Sequence, residues 1–287
     1  ACRAGSCGAD TASFPGEGGV GEMTLNDGSS SMARVRVGLT GHREPIDYDV
    51  ATPSHIALAG ATRSGKSALA YWLLGQLAAM PWVRIVGSDI SRLLLAPFAG
   101  DPLVALGQDD LDAHARALEG VDKLVRDRLD RLVAERCDKI GEFTVACPLV
   151  VVVIEEFPSL LELAKTLDAS TSPRGRLEAR LRSVFLRLVT QSAKCGIRMM
   201  VIAQRMDASI LQGVARSNIE TRFLLRSDEA GIEMMIPDLD DQQRAFLARA
   251  RPGVGFMTAP CVPPTLFRGV AVAYQQYLRD HDVTCAC

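Results

Sequence analysis

Long hydrophobic runs are missing from this chain of 287 residues. The uninterrupted apolar stretch at residues 149–154 has the length of one strand, and no stretch approaches the about 18–20 apolar residues that a bilayer-spanning helix needs. No transmembrane helix is therefore predicted. The first 32 residues are rich in Gly and Ser and carry no apolar core of the kind that a secretory signal needs. Together these two absences predict a cytoplasmic protein. Excess charge is missing too. A net charge of −2 excludes a uniformly basic coat for nucleic acid, though not a local basic channel. Metal-ligand spacing is absent among the eight cysteines. Cys137, Cys147, Cys195 and Cys261 stand alone and read as small core residues in a reducing compartment. Cys2, Cys7, Cys285 and Cys287 sit at the two extremes, with spacings unlike those of a zinc site. No internal repeat is visible.

What is present is a large apolar fraction. At 48% apolar, the chain has enough material for a sizeable core, and its length suits one large α/β domain with tails. Residues 1–33 read as a flexible N-terminal tail, 34–278 as the folded domain and 279–287 as a C-terminal tail. Arginine far outnumbers lysine, which fits either a GC-rich genome or phosphate contact.

From residue 34 the pattern alternates between strand and helix. Residues 34–39 suggest an edge strand, and 41–53 a loop. Further strands are expected at 55–60, 83–89, 149–154, 197–203, 221–225 and 255–258. Residues 67–80 read as a helix stopped by Pro81. Leu118, Val121, Val125, Leu129 and Leu132 recur every three or four residues, as do Leu177, Leu181, Val184 and Leu188; each set marks a helix with one buried face. The unbroken apolar run at 149–154 suits a strand covered on both sides, as in a parallel sheet. This alternation predicts a mainly parallel, doubly wound sheet flanked by helices.

The most specific signal is Gly60-Ala61-Thr62-Arg63-Ser64-Gly65-Lys66-Ser67, which matches G-x-x-x-x-G-K-[ST] at every fixed position. Such a loop turns its N–H groups inward around an anion, and the following helix, entered through Ser67 and Ala68, adds its positive dipole end. Lys66 is expected on the β- and γ-phosphates of ATP, and the Ser67 hydroxyl on Mg²⁺. The apolar run at 149–154 ends in Glu155-Glu156, at the strand end where open α/β sheets bind ligands. Glu155 is the candidate for the Mg²⁺ shell and Glu156 for the general base that polarises the attacking water. Gln204, after the strand at 197–203, is the candidate sensor of the γ-phosphate.

These parts, in this order, resemble the motor domain of the FtsK/SpoIIIE family, whose fold is a RecA-like P-loop NTPase. Residues 196–205 look like that family's glycine-led strand ending in Thr-Gln-Arg-Pro, with Ala203 and Met206 in place of the threonine and proline. Arg216-Ser217-Asn218-Ile219-Glu220-Thr221-Arg222 looks like Lys-Ala-Asn-Ile-Pro-Thr-Arg. Glu155-Glu156-Phe157 stands where the family has Asp-Glu-Phe, and 251–257 where it has a late Gly-Asp-Met-Leu turn. The likeness covers roughly residues 39–260 and is similar to conjugative, TraB-like translocases of actinobacterial plasmids and integrative elements.

That resemblance implies a homo-hexameric ring moving double-stranded DNA, with ATP between subunits and an arginine supplied by the neighbour. Arg128 is the first candidate for this arginine, with Arg205 and Arg222 behind it. Segments 169–176 (with Ser170, Thr171, Ser172, Arg174 and Arg176) and 207–217 are expected to line the pore and contact DNA phosphates. Neither a transmembrane segment before the motor nor a winged-helix module after it is seen, so membrane anchoring or DNA loading is expected from a separate subunit, which would recruit the motor to the inner face of the membrane. Type VII protein-secretion ATPases and phage genome-packaging ATPases share the fold, and the active-site residues do not separate these cargoes.

Overall fold

The computed structural model describes residues 34–170, 176–206 and 213–282. Its centre is a run of parallel strands: β3 (Ile56–Ala59), β4 (Val83–Asp89), β5 (Val104–Leu106), β6 (Leu149–Glu155), β7 (Ile197–Ala203) and β8 (Thr221–Leu225). Every residue of 149–154 is fully buried. The cause is position: β6 lies between β4 and β7, so both faces are covered and β-branched Val and Ile pack on either side.

The helices divide between the two faces. On one face lie α2 (Leu111–Glu135), α3 (Phe157–Ser170) and α4 (Leu177–Gln191), which bury the stripes read from the sequence, including Leu118, Val121, Val125, Leu181 and Leu188. On the other lie α1 (Lys66–Ala78) and α8 (Tyr274–Asp282), over Ile56, Leu58, Val151 and Ile202. Side chains that alternate along each strand thus feed two separate cores. The expectation of a mainly parallel, doubly wound α/β sheet holds. α8 runs past residue 278, where the domain was expected to end.

The sheet continues on one side as an antiparallel annex. It is made by β9 (Val254–Ala259), β10 (Val262–Gly269), β1 (Arg34–Leu39) and β2 (Pro45–Asp49), in the overall order β2-β1-β10-β9-β8-β3-β7-β6-β4-β5. Two expectations need correction here. β1 is not an edge strand, because the stretch expected as a loop at 41–53 contains β2, which pairs with it and takes the edge. β10 was not foreseen: Pro263 and Pro264 argue against a strand, and the register shift between Val262 and Thr265 is what accommodates them. Short helices α5 (Val214–Asn218), α6 (Glu229–Met235) and α7 (Asp241–Ala248) fill the connections around β8 and β9. Among the described residues no helix is long and apolar enough to cross a membrane.

Candidate nucleotide site

The chain leaves β3 at Ala59 and turns through residues 60–65 into α1. Both motif glycines are required, for different reasons. Gly65 has φ 95°, and a Cβ there would sit 2.6 Å from the Gly253 amide nitrogen. At Gly60 the need is steric: a Cβ would lie 2.5 Å from Ser64 Oγ and 2.9 Å from Leu225 Cβ. Neighbouring segments brace the loop. Ala61 N–H donates to the Arg226 carbonyl (2.8 Å), Arg226 Nη2 to the Thr62 carbonyl (3.0 Å), and Gly253 N–H to the Ser64 carbonyl (2.7 Å). No side chain caps the N-terminus of α1 and its first turn carries no acid, which leaves its amides and dipole free to face an anion.

A cleft of about 520 Å³ opens over this loop. Residues 61–68 form one side; Ile90, Ser91, Gln108, Glu155, Glu156 and Gln204 complete it. Lys66 Nζ donates to Glu156 Oε1 at 2.7 Å, and the same oxygen accepts from Gln204 N–H at 2.8 Å. Thr62 Oγ1 donates to Gln204 Oε1 at 3.0 Å. Loop lysine, second acid and glutamine are therefore one hydrogen-bonded set drawn from three strand ends. Glu156 holds φ 50°, uncommon for a residue with a Cβ. Its N–H still donates to the Ile202 carbonyl (2.7 Å), so the ladder fixes the backbone while the left-handed turn starts α3. Strain of this kind collects where surrounding structure over-determines a functional geometry.

Glu155 faces a different neighbour. It lies opposite Asp89 in the β4–β6 register, and burial together with the Asp89 carboxylate pushes its carboxyl up to about 8. Burial also works to raise Asp89, but hydrogen bonds from Glu155, the Leu95 amide and Ser91 outweigh it, leaving Asp89 below the usual carboxylate range. Asp89 Oδ1 accepts from Ser91 N–H (2.8 Å) and Ser91 Oγ (2.7 Å); its Oδ2 accepts from Leu95 N–H (3.0 Å). Glu155 Oε2 and Ser64 Oγ are buried without a hydrogen-bond partner. The orphaned Glu155 oxygen and Ser67, both lining the cleft, form a hard-oxygen donor set that fits Mg²⁺, an ion bound through one or two carboxylates plus phosphate oxygens.

The sequence reading missed Asp89, Ser91 and Gln108. The signal was available only for Asp89, as the last residue of a strand foreseen at 83–89. The reading also erred on Arg128. This side chain is buried, donating from Nη1 to the Cys195 and Gly196 carbonyls (2.7 and 3.2 Å) and from Nη2 to the Pro148 carbonyl (2.8 Å). It ties the starts of β6 and β7 together at the sheet edge opposite the cleft, so it is not free to reach a neighbour's phosphate. Arg131, one turn further along α2, is by contrast exposed and paired with Glu135. Arg222 is likewise spent on carbonyls, those of Ile219, Met235 and Arg216. Arg205 alone of the three is exposed, paired with Asp228. The segments 171–175 and 207–212, the larger part of the expected pore loops, lie outside the described residues, as do Cys2, Cys7, Cys285 and Cys287. No group of three or more His, Cys, Asp or Glu side chains able to hold a metal occurs among the described residues.

No protein-family model matches the chain. In sequence it is similar to the DNA translocase SftA of Bacillus subtilis (strain 168), at 28% identity over 68% of this chain and 20% of that protein. It is also similar to the DNA translocase FtsK 2 of Neisseria meningitidis serogroup A, at 27% identity over 63% of this chain and 20% of that protein. The chain thus spans about a fifth of the length of the curated relatives it matches. In structure it is similar to the pCW3 conjugation coupling protein TcpA, monomer form with ATPγS, with a TM-score of 0.72 at 19% identity over 90% of this chain and 71% of that one. The cytoplasmic domain of the Thermomonospora curvata type VII secretion ATPase EccC gives 0.66 at 17% identity over 90% of this chain and 32% of that one. These structural likenesses show the fold, and the sequence likeness is to part of two proteins named as DNA translocases.

Proposed function

We propose that this chain, an α/β domain resembling FtsK/SpoIIIE ATPase domains, hydrolyses ATP and uses the energy to move double-stranded DNA, as part of a homo-hexameric ring. The observation that carries the proposal is the shared oxygen: Glu156 Oε1 receives both Lys66 and the Gln204 amide inside the cleft of the phosphate loop. A bound triphosphate offers Lys66 several anionic oxygens. Moving to them, the ammonium releases Glu156, which can then accept a proton from water aligned on the γ-phosphate. Gln204 sits between the loop, through Thr62, and the base, through its backbone, and so is placed to register whether the γ-phosphate is present. Ser67 and Glu155 would hold Mg²⁺, which neutralises charge on the transferred phosphoryl group when bound. Glu155 must lose its proton to do so.

DNA as cargo is favoured by the sequence relatives, both of which are named as DNA translocases. We assign DNA contact to residues 169–176 and 207–217, made to phosphates without reading sequence. With Arg128 and Arg222 structurally committed, Arg205 becomes the first candidate for the arginine offered to a neighbouring subunit. Conjugative DNA transfer, with anchoring or loading by a separate subunit, is the process we propose for it.

The test is phosphate release with and without linear duplex DNA at several salt concentrations. Stimulation that fades as salt rises supports a DNA motor. Stimulation by a secreted peptide and not by DNA would point to a protein-secretion motor. In the Arg174→Ala/Arg176→Ala double variant, basal release should persist while the DNA response falls; an unchanged response would remove residues 169–176 from the DNA contact.

A further inference from the structure

We infer that Tyr277, on the C-terminal helix α8, is a positioning residue for the metal side of the nucleotide cleft, acting through the loop that joins β4 to β5. The inference rests on the nucleotide reading of the cleft. Tyr277 is 1% exposed, and its hydroxyl donates to the Leu94 carbonyl at 2.7 Å. The next residue, Leu95, donates its N–H to Asp89 Oδ2 (3.0 Å), and the other Asp89 oxygen gathers Ser91 N–H, Ser91 Oγ and the Arg92 N–H (3.1 Å). The turn at 90–95 is thus held at two points: Asp89 from beneath and Tyr277 from α8. Ser91, between them, lines the cleft. Asp89 in turn lies opposite Glu155, the acid with the orphaned oxygen.

A second contact brings α8 to the opposite wall. The Tyr277 ring stacks on Tyr71 of α1, with centroids 4.7 Å apart and planes at 21°, and Tyr274 packs on Tyr71 at 5.5 Å. Tyr71 lies one helical turn beyond Ser67. One buried aromatic on α8 therefore touches both the helix that carries the serine donor and the loop that shapes the acid side. These two donors have to converge on one ion, and hydrogen-bond partners beyond the ligands commonly set that convergence. The phosphate loop is braced from elsewhere, by Arg226 and Gly253, and Lys66 is held by Glu156. Losing the Tyr277 hydroxyl should therefore disturb the metal side and spare the phosphate grip.

The experiment uses the full chain and a fluorescent ATP analogue, its binding measured first in EDTA and then during titration with MgCl₂. Tyr277→Phe keeps the ring and removes the hydroxyl that donates to Leu94. The expected result is an unchanged affinity in EDTA and a Mg²⁺ midpoint raised about fivefold, the usual net worth of one neutral hydrogen bond. Asp89→Asn should move the midpoint in the same direction. An unshifted midpoint in Tyr277→Phe would overturn the inference, and so would an equal loss of affinity with and without Mg²⁺ that follows a fall in Tm. Lys66→Ala separates this result from the nucleotide reading itself. If that variant binds the analogue as tightly as wild type, the cleft is not the nucleotide site. If it does not, the Tyr277→Phe titration bears on α8 alone.

Discussion

The two edges of the parallel sheet spend the same kinds of residue in opposite ways. At the edge where the strands begin, the large buried polar side chains are engaged, and the Ser192 hydroxyl is the exception. Arg198, 2% exposed, donates to the carbonyls of Ala51 (2.5 Å), Thr52 (2.6 Å) and Ala193 (2.6 Å). Arg128 takes three more carbonyls, and His55 bonds the Val189 carbonyl and the Met199 N–H. At the edge where the strands end, Glu155 Oε2 and Ser64 Oγ lack partners, Glu156 sits at positive φ, and Lys66 is held by a single acid. The first edge closes the fold. The second is left incomplete, at a cost in stability, so that a ligand can complete it.

That contrast can be broken by exchange of effects. The largest belongs to Glu156→Gln, which keeps an acceptor for Lys66 and Gln204 but removes the base. We expect kcat to fall by about 10²–10⁴-fold, the usual worth of a positioned base, with the urea midpoint unchanged. Single-turnover phosphate release measures the first and equilibrium unfolding the second.

Arg128→Ala should do the reverse. Three buried carbonyls lose their donor, and we expect a loss of about 3–5 kcal/mol in urea unfolding, with turnover per folded molecule retained. A large loss of turnover at intact stability would return Arg128 to the site.

The edges should also differ in the sign of their pH dependence. Burial, helped by the nearby Arg198 charge, pushes His55 down to about 4. Its unfolded value is about 6.5, so its contribution is complete above that pH and is lost as pH falls toward 4, by at most about 3 kcal/mol. Glu155 runs the other way. Its folded carboxyl titrates at about 8, above the unfolded value, so the folded state holds a proton that the unfolded chain gives up. Its contribution is present at low pH and is lost as pH rises from about 4.3 through 8. Urea midpoints across pH should flatten on the acid limb in His55→Asn and on the alkaline limb in Glu155→Gln.

The smallest effect sharpens the contrast between arginines. Arg205 has one exposed partner, Asp228, and Arg205→Ala should cost less than about 1 kcal/mol. If thermal denaturation shows a loss comparable to that of Arg128→Ala, exposure is not what separates the two edges.

Much of this was legible in the residues. The strands at 83–89, 197–203 and 221–225 have the bounds read from apolar pattern alone, because strands covered on both faces admit little else. The phosphate loop was legible because its glycines answer to local sterics that any protein must obey. β10 and β2 were hidden although each pairs with its neighbour across a short turn: the prolines of β10 and the acids of β2 read as loop, and only the pairing of β1 with β10 is distant in sequence. Asp89 carried no motif of its own, and its meaning came only from standing beside Glu155.

By itself the sequence determined a nucleotide-type loop between strand and helix, two acids at the end of a buried strand and the stripes that cover the sheet, since each depends on neighbours within a few residues along the chain. Tertiary structure decided which arginine is a buried bolt and which is exposed, that Lys66 and Glu156 meet at 2.7 Å, and that Tyr277 of α8 bonds the Leu94 carbonyl. A guanidinium is the same group in either role. Only the carbonyls brought to it by distant segments settle what it does.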